Sequence, residues 1–312
     1  MRVLFAGSPS IAVPSLETVY RQDGIELAGV LTNPDSPRGR HGTPQPTDIA
    51  EAAQKMNVPV LKPEKLDAPV REQIGSLKPD LLVSFAYGRI FGPKFLALFP
   101  LGGINIHPSL LPKYRGPSPI QAAILNRDAE TGITVQTLAL EMDQGDILAA
   151  EQLPLSGRET AGSLGELAAR KGAQKLSEVL IKIANGTVTR TAQNHSEAVY
   201  CKLITRDDGL IDWNLGAAQI EAKIRAFDPW PLCRTVHNGR ELFILEAGIF
   251  KGQIPEKSCG QVLGIDKNNG ILIQTGDGIL SVTRLQYEAK KALFWRDFLN
   301  GVRDFSGSQL GI

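Results

Sequence analysis

Residues 102–119 read Gly-Gly-Ile-Asn-Ile-His-Pro-Ser-Leu-Leu-Pro-Lys-Tyr-Arg-Gly-Pro-Ser-Pro and place an amide and an imidazole two positions apart. Successive strand side chains point to opposite faces, so Asn105 and His107 share one face while Ile104 and Ile106 take the other. Pro108 cannot donate to a sheet ladder, so the strand stops there. Both polar groups are then left at its carboxyl end, where open α/β sheets hold their ligands. An amide donor beside an imidazole suits acyl-type chemistry: one group holds a developing oxyanion while the other handles a proton or adds positive charge. The plain alternative is a strand end whose polar residues meet only water, and these two residues alone do not decide between them.

The surrounding pattern supplies a frame for such a strand. Arg2 to Ala6, Ile25 to Leu31, Val58 to Leu61 and Asp80 to Ala86 read as buried strands, with helical stretches near 11–22, 47–56 and 66–77 between them. That alternation predicts a doubly wound, mostly parallel sheet of the α/β class. Gly7-Ser8-Pro9 after the first strand resembles the start of a nucleotide-binding unit, but no G-x-G-x-x-G and no P-loop follows, which argues against a nicotinamide oxidoreductase. Residues 33–46 carry four prolines, two glycines and two arginines, so they predict a long loop of the functional or mobile kind.

Beyond the central strand, Ser118 and Pro119 open a helix to about Leu125. Strands follow at 131–140 and 147–155, with Glu141-Met-Asp-Gln-Gly-Asp146 turning between them, and a long amphipathic helix covers 161–184. A carboxylate from that turn could fix the tautomer of a nearby imidazole; spacing does not choose among Glu141, Asp143 and Asp146. Polar residues 187–204 read as a linker between a first domain at 1–186 and a second at 205–312. The second opens with a helix at 217–226, then has short strands separated by turn signals such as Asn238-Gly239 and Gly276-Asp277-Gly278. This predicts a small β-barrel with a last helix near 291–303.

Composition removes several classes. The 312 residues suit two domains, and 42% apolar with 21% charged content is that of a soluble globular chain. A net charge of +1 announces no nucleic-acid partner, so any phosphate contacts must come from local clusters. Cys201, Cys233 and Cys259 make no C-x-x-C pair, which predicts neither a disulfide framework nor a zinc site and fits the cytoplasm. No apolar run approaches the roughly 18 residues of a membrane helix, and the first residues lack a signal-peptide core.

With these segments in view, the chain resembles the methionyl-tRNA formyltransferases of the folate-dependent formyltransferase superfamily. The likeness runs through Phe5-Ala-Gly-Ser-Pro9, Thr32-Asn-Pro-Asp35, Ala86-Tyr-Gly88, Ile104 to Gly116 and Met142-Asp-Gln-Gly-Asp-Ile147. In the second half it continues through Ile211-Asp-Trp213, Ile224-Arg-Ala-Phe-Asp-Pro-Trp-Pro231 and Thr275-Gly-Asp-Gly-Ile279. The resemblance implies a Rossmann-like formyltransferase domain followed by an OB-like β-barrel domain assisting tRNA binding. It also implies Asn105, His107 and Asp143 as the catalytic set, with no metal. Its co-substrate would be 10-formyltetrahydrofolate, held by Ser109, Leu110, Leu111 and Pro112, with Arg89 and Ile90 nearby. The partner would be initiator methionyl-tRNA, met by Arg38 and Arg40 of the loop and by Lys113 and Arg115, and the usual form is a monomer. The loop departs from the family where it reads His41-Gly42-Thr43-Pro44 in place of a basic pair. A formyltransferase acting on an amino-sugar nucleotide, or a hydrolase of the same folate, would use the same Asn, His and Asp. A non-catalytic RNA-binding protein would not need all three.

Overall fold

The chain opens with β1 (Arg2–Gly7), whose Val3, Leu4, Phe5 and Ala6 are fully buried. The computed structural model describes residues 1–38, 42–252, 254–255 and 257–311, with backbone alone for Arg38. α1 (Val13–Arg21) carries Pro14 in its first turn, where a missing N–H costs no helix hydrogen bond. β2 (Glu26–Leu31) leads to a hairpin of β3 (Ser36–Arg38) and β4 (Thr43–Gln45), with Pro37 paired to Pro44. The expected irregular loop thus contains two short strands. Prolines fit there because each strand of a two-stranded ribbon has one free edge.

α2 (Asp48–Lys55) is capped by Thr47, whose hydroxyl accepts from the Ala50 N–H at 3.1 Å. Then come β5 (Val60–Leu61), α3 (Ala68–Ser76), β6 (Leu81–Phe85), α4 (Pro93–Leu96), β7 (Gly103–His107) and α5 (Pro119–Leu125). β8 (Glu130–Thr137), β9 (Ile147–Pro154) and the long α6 (Ala161–Ala184) follow. The strands order as β5-β2-β1-β6-β7-β8-β9, with every pairing parallel except β7 with β8 and β8 with β9, so β8 alone runs against the rest. The winding runs outward from β1 to β5, then restarts at β6 on the other side, so it reverses between β1 and β6. Ligand crevices open at such reversals, beyond the carboxyl ends of the strands.

Side chains at those ends are tied together. Asn33 Nδ2 donates to Ser8 Oγ at 2.9 Å and to the Tyr87 carbonyl at 3.0 Å, joining the ends of β1, β2 and β6. Beyond β6, Tyr87, Phe91, Phe95 and Phe99 form a ladder of rings with centroids 5.1 to 5.6 Å apart, all buried. Burial raises the Tyr87 phenol above its usual range, with the Arg89 charge opposing.

The chain divides into two compact units: Met1–Pro119, Glu130–Pro154 and Gly165–Lys202 form one, and Ile120–Ala129, Leu155–Leu164 and Leu203–Ile312 the other. Of residues 187–204, expected as a linker, 187–202 therefore pack within the first unit and 203–204 belong to the second. Thr191 exchanges backbone hydrogen bonds with Ile147 at 2.8 and 2.9 Å, and the Cys201 N–H donates to the Arg115 carbonyl at 2.8 Å. Such isolated bridges impose no apolar period on the sequence, so the stretch reads as unstructured.

In the second unit, α7 (Ala217–Ala226) precedes β10 (Cys233–His237), β11 (Arg240–Phe250), β12 (Val262–Asp266), β13 (Gly270–Gln274), β14 (Ile279–Tyr287), β15 (Leu293–Phe294) and α8 (Trp295–Gly301). The sheet is antiparallel in the order β10-β11-β14-β13-β12, with β15 beside β14. The tail bonds to both end strands: the Gly307 N–H donates to Val262 O and the Gly311 N–H to Val236 O, each at 2.9 Å. The expected barrel thus takes the form of a six-stranded sheet whose two edges are bridged by the chain's own end, which covers backbone groups that would otherwise pair with other chains. Among the described residues no helix is long and apolar enough to cross a membrane.

Candidate active site

β7 presents alternate residues to opposite faces, as its sequence requires. Ile106 faces Gly172 of α6, while Asn105 pairs in register with Ser84 of β6 and Gln136 of β8, and His107 with Thr134. Directly paired residues share a face, so five polar side chains collect on the side of the sheet away from Ile106. Asn105 is half-buried and, among the described residues, no protein group is hydrogen-bonded to its side chain. Its amide is therefore available to an incoming oxygen.

His107 is 4% exposed, with Nε2 2.8 Å from the Tyr114 carbonyl and Nδ1 3.5 Å from Asp143 Oδ2. Both oxygens can only accept, so an acceptor faces each ring nitrogen. Spacing left three acids open; the structure brings Asp143 to the imidazole, and Glu141 is exposed. Asp143 itself has φ +55, a left-handed conformation costly for a residue with a Cβ. Two residues on, a Cβ on Gly145 would lie 1.7 Å from the Thr137 carbonyl, so only glycine lets the turn close onto β8.

The Asp143 carboxylate is fixed at both oxygens. Oδ2 accepts from the Gly116 N–H at 2.8 Å, and Oδ1 accepts from Gln136 Nε2 at 2.9 Å. Gly116, at φ +114, lies so close to the Cys201 carbonyl that a Cβ would come within 2.4 Å of it. The Cys201 Sγ accepts from the Ser118 N–H at 3.3 Å. Burial pushes this thiol up from its usual range, the Ser118 bond opposes that and the Asp143 charge adds to it, so the thiolate is disfavoured here.

The segment expected to hold folate is pinned over β8. Thr134 Oγ1 donates to the Ser109 carbonyl at 2.7 Å and accepts from the Leu111 N–H at 3.2 Å, and the Leu111–Pro112 peptide is cis. Ser109 is fully buried and its hydroxyl donates to the Lys113 carbonyl at 2.6 Å, so its side chain shapes the segment. Leu110 and Pro112 are half-buried and Leu111 is buried. Arg89 Nη1 donates to the carbonyls of Pro63 at 3.0 Å and Glu64 at 2.7 Å, and Ile90 is 69% exposed beside it. The loop after β6 is thereby held against the chain that follows β5.

Of the residues expected to meet tRNA, Lys113 is exposed, with its Nζ 4.9 Å from the Tyr114 ring centroid. Arg40 lies outside the described residues, and so does the side chain of Arg38. Arg115 corrects the expectation: it is 1% exposed, bonded to Gln193, Tyr200 and His195, and offers no surface cation to a phosphate. Gln136 and Gln193 are site residues that sequence reasoning missed. Gln136 alternates with Thr134 inside an apolar strand, a signal of a polar face that could have been followed. Gln193 lies in a polar stretch with no pattern. Among the described residues no group of three or more His, Cys, Asp or Glu could hold a metal ion.

Comparison with known proteins identifies the family. The Formyl transferase family matches residues 1–180, and the Formyl transferase, C-terminal domain family matches residues 203–303. A methionyl-tRNA formyltransferase of Treponema denticola is 50% identical over 98% of both chains. One from Treponema pallidum (strain Nichols) is 44% identical over the whole of both. Among solved structures, an N-formyltransferase of Helicobacter canadensis in complex with folinic acid and dTDP-3-aminofucose superposes with a TM-score of 0.66 at 21% identity. It covers 90% of this chain and 97% of that one, and at that identity it speaks for the fold alone.

Proposed function

The chain belongs to the methionyl-tRNA formyltransferase family, and on that premise we propose that it transfers the formyl group of 10-formyltetrahydrofolate to the α-amino group of initiator methionyl-tRNA. The observation that carries this reading is the 50% identity that runs over 98% of both chains, the second unit included. Sharing of the first domain alone would have fitted many acceptors.

The α-amine attacks the formyl carbon, and negative charge develops on the formyl oxygen as the carbon becomes tetrahedral. Asn105 carries the free amide that donates to this oxygen. His107, backed by Asp143, adds positive charge beside it or carries a proton from the attacking to the leaving nitrogen. The amine loses a proton and the departing folate nitrogen gains one, so the transfer is balanced without a redox partner. Ser109 to Pro112, with Arg89 and Ile90, frame the folate side. Lys113, with Arg38 and Arg40 of the segment after β2, takes the tRNA side, and the second unit assists.

Labelled formyl supplied as 10-formyltetrahydrofolate tests the reading, with charged initiator tRNA, an amino-sugar nucleotide and water as competing acceptors. Formyl-methionyl-tRNA is the expected product, reduced about 100- to 1000-fold by Asn105→Ala. Formate or formylated sugar in place of it would overturn the acceptor assignment.

A further inference from the structure

Behind the carboxylate lies a run of hydrogen bonds that all point one way. Arg115 donates to Gln193 Oε1 from Nε at 3.1 Å and from Nη2 at 2.7 Å. A guanidinium has no acceptor, so these two bonds fix the Gln193 amide with its oxygen toward Arg115 and its NH₂ away. That NH₂ lies 2.6 Å from the Gly145 carbonyl, 2.9 Å from the Asp143 carbonyl and 3.2 Å from Gln136 Oε1. Gln136, its oxygen so occupied, turns its own NH₂ to Asp143 Oδ1 at 2.9 Å. From Arg115 through both glutamines to the carboxylate, every member donates forward.

Arg115, Gln136 and Gln193 are 1%, 1% and 6% exposed, so these groups are shut off from bulk water. A buried amide and a buried guanidinium are costly unless matched: Arg115 is matched by Gln193, Tyr200 and His195, and of these it is Gln193 that leads to Asp143. The same Gln193 NH₂ grips the backbone on both sides of Gln144, at the residue with φ +55 and at the glycine that follows. The strained turn and the orientation of its carboxylate thus share one clasp.

We infer that Gln193, anchored by buried Arg115, is a positioning residue for the formyl transfer: it holds the 143–145 turn so that Asp143 faces His107. The inference rests on the proposed reaction, in which Asp143 backs the imidazole. It also gives a role to a stretch that reads as a linker, and it explains why Arg115 is buried when its neighbour Lys113 is not.

The decisive measurement is a double-mutant cycle in the full-length protein, with kcat for formyl transfer and Tm recorded for each variant. Gln193→Ala is expected to lower kcat about 10- to 100-fold, the size of effect that follows from misplacing a reacting group by about 1 Å. In an Asp143→Ala background the same change is expected to cost less than about 2-fold further, because the group it positions is already gone. Gln193→Glu tests the donor itself: it keeps an acceptor for Arg115 but sets an oxygen in place of the N–H against the Asp143, Gly145 and Gln136 oxygens, so Tm should fall and kcat should fall with it. Losses that multiply in the double variant, or a Gln193→Glu variant with parental kcat, would overturn the inference. A parent protein that forms no formyl-methionyl-tRNA would instead overturn the reaction itself.

Discussion

Two histidines are buried almost equally, His107 at 4% exposure in the first unit and His237 at 1% in the second, and their surroundings differ in kind. His107 ends a strand with an acceptor oxygen facing each ring nitrogen, one of them a carboxylate. His237 ends β10 inside an aromatic cluster, its ring edge-on to Phe305 with centroids 4.7 Å apart. Its Nδ1 is 2.5 Å from the Tyr287 hydroxyl, and its Nε2 has no hydrogen-bond partner among the described residues. Burial pushes its pKa below the ordinary histidine range, with the Asp304 charge opposing and the Arg240 charge adding. Burial of an imidazole therefore does not mark a site. What distinguishes His107 is a set of acceptors already arranged around it, and a free amide on the same strand face.

The sharpest way to break this comparison is to remove each ring. His107→Ala is expected to lower kcat by roughly 100- to 10,000-fold, the range of positioned acid, base and charge effects, with a small change in Tm. His237→Phe, which keeps the ring volume, should leave kcat within about 3-fold. A large loss of kcat in the second variant, at a Tm near that of the parent, would show that chemistry reaches into the aromatic cluster.

If His237 is a packing residue, its neighbours should matter through stability alone. Phe305 is fully buried and meets both His237 and Phe298 edge-on. Phe305→Ala should destabilise the second unit by about 3–5 kcal/mol in denaturant titration, as large-to-small changes in a close-packed core do. It should leave the KM for folate unchanged. A shift of less than about 1 kcal/mol would mean that the tail bearing Phe305 is dispensable to that core.

The same contrast explains what could be read from the sequence. Apolar runs and alternation gave β1, β2, β6 and β7, the helix over 161–184 and the face shared by Asn105 and His107, because those patterns are set by burial on one side of a regular element. The helical stretch near 47–56 was equally legible, since the Thr47 cap that starts it depends on residues next to it in sequence. Gln193 was not, since its partners Arg115, Gln136 and Asp143 lie between 50 and 78 positions away and no period connects them. Arg115 was misread for the opposite reason. Its neighbours in a loop of Lys, Tyr and Gly look solvated, and only the packing of 191–202 against that loop buries it.

A smaller effect sharpens the comparison further through pH. His237 titrates lower in the folded chain than in the unfolded one, where the ordinary value is about 6.5. Below that value the unfolded chain binds a proton that the folded chain refuses, so stability falls as pH drops from about 6.5 toward the lower folded pKa. Above about 6.5 both states hold a neutral ring and this contribution is flat. The loss is bounded at about 1.4 kcal/mol for every tenfold by which folding weakens the ring's hold on its proton. Thermal unfolding followed from pH 7.5 to 5.5 should therefore show the parent losing Tm faster than His237→Phe, with the two curves parallel above about pH 7. Other groups titrate in both proteins and cancel in the difference. Curves that stay parallel down to pH 5.5 would mean that the buried ring accepts its proton, and the cluster around it would then have to be open enough to hydrate Nε2.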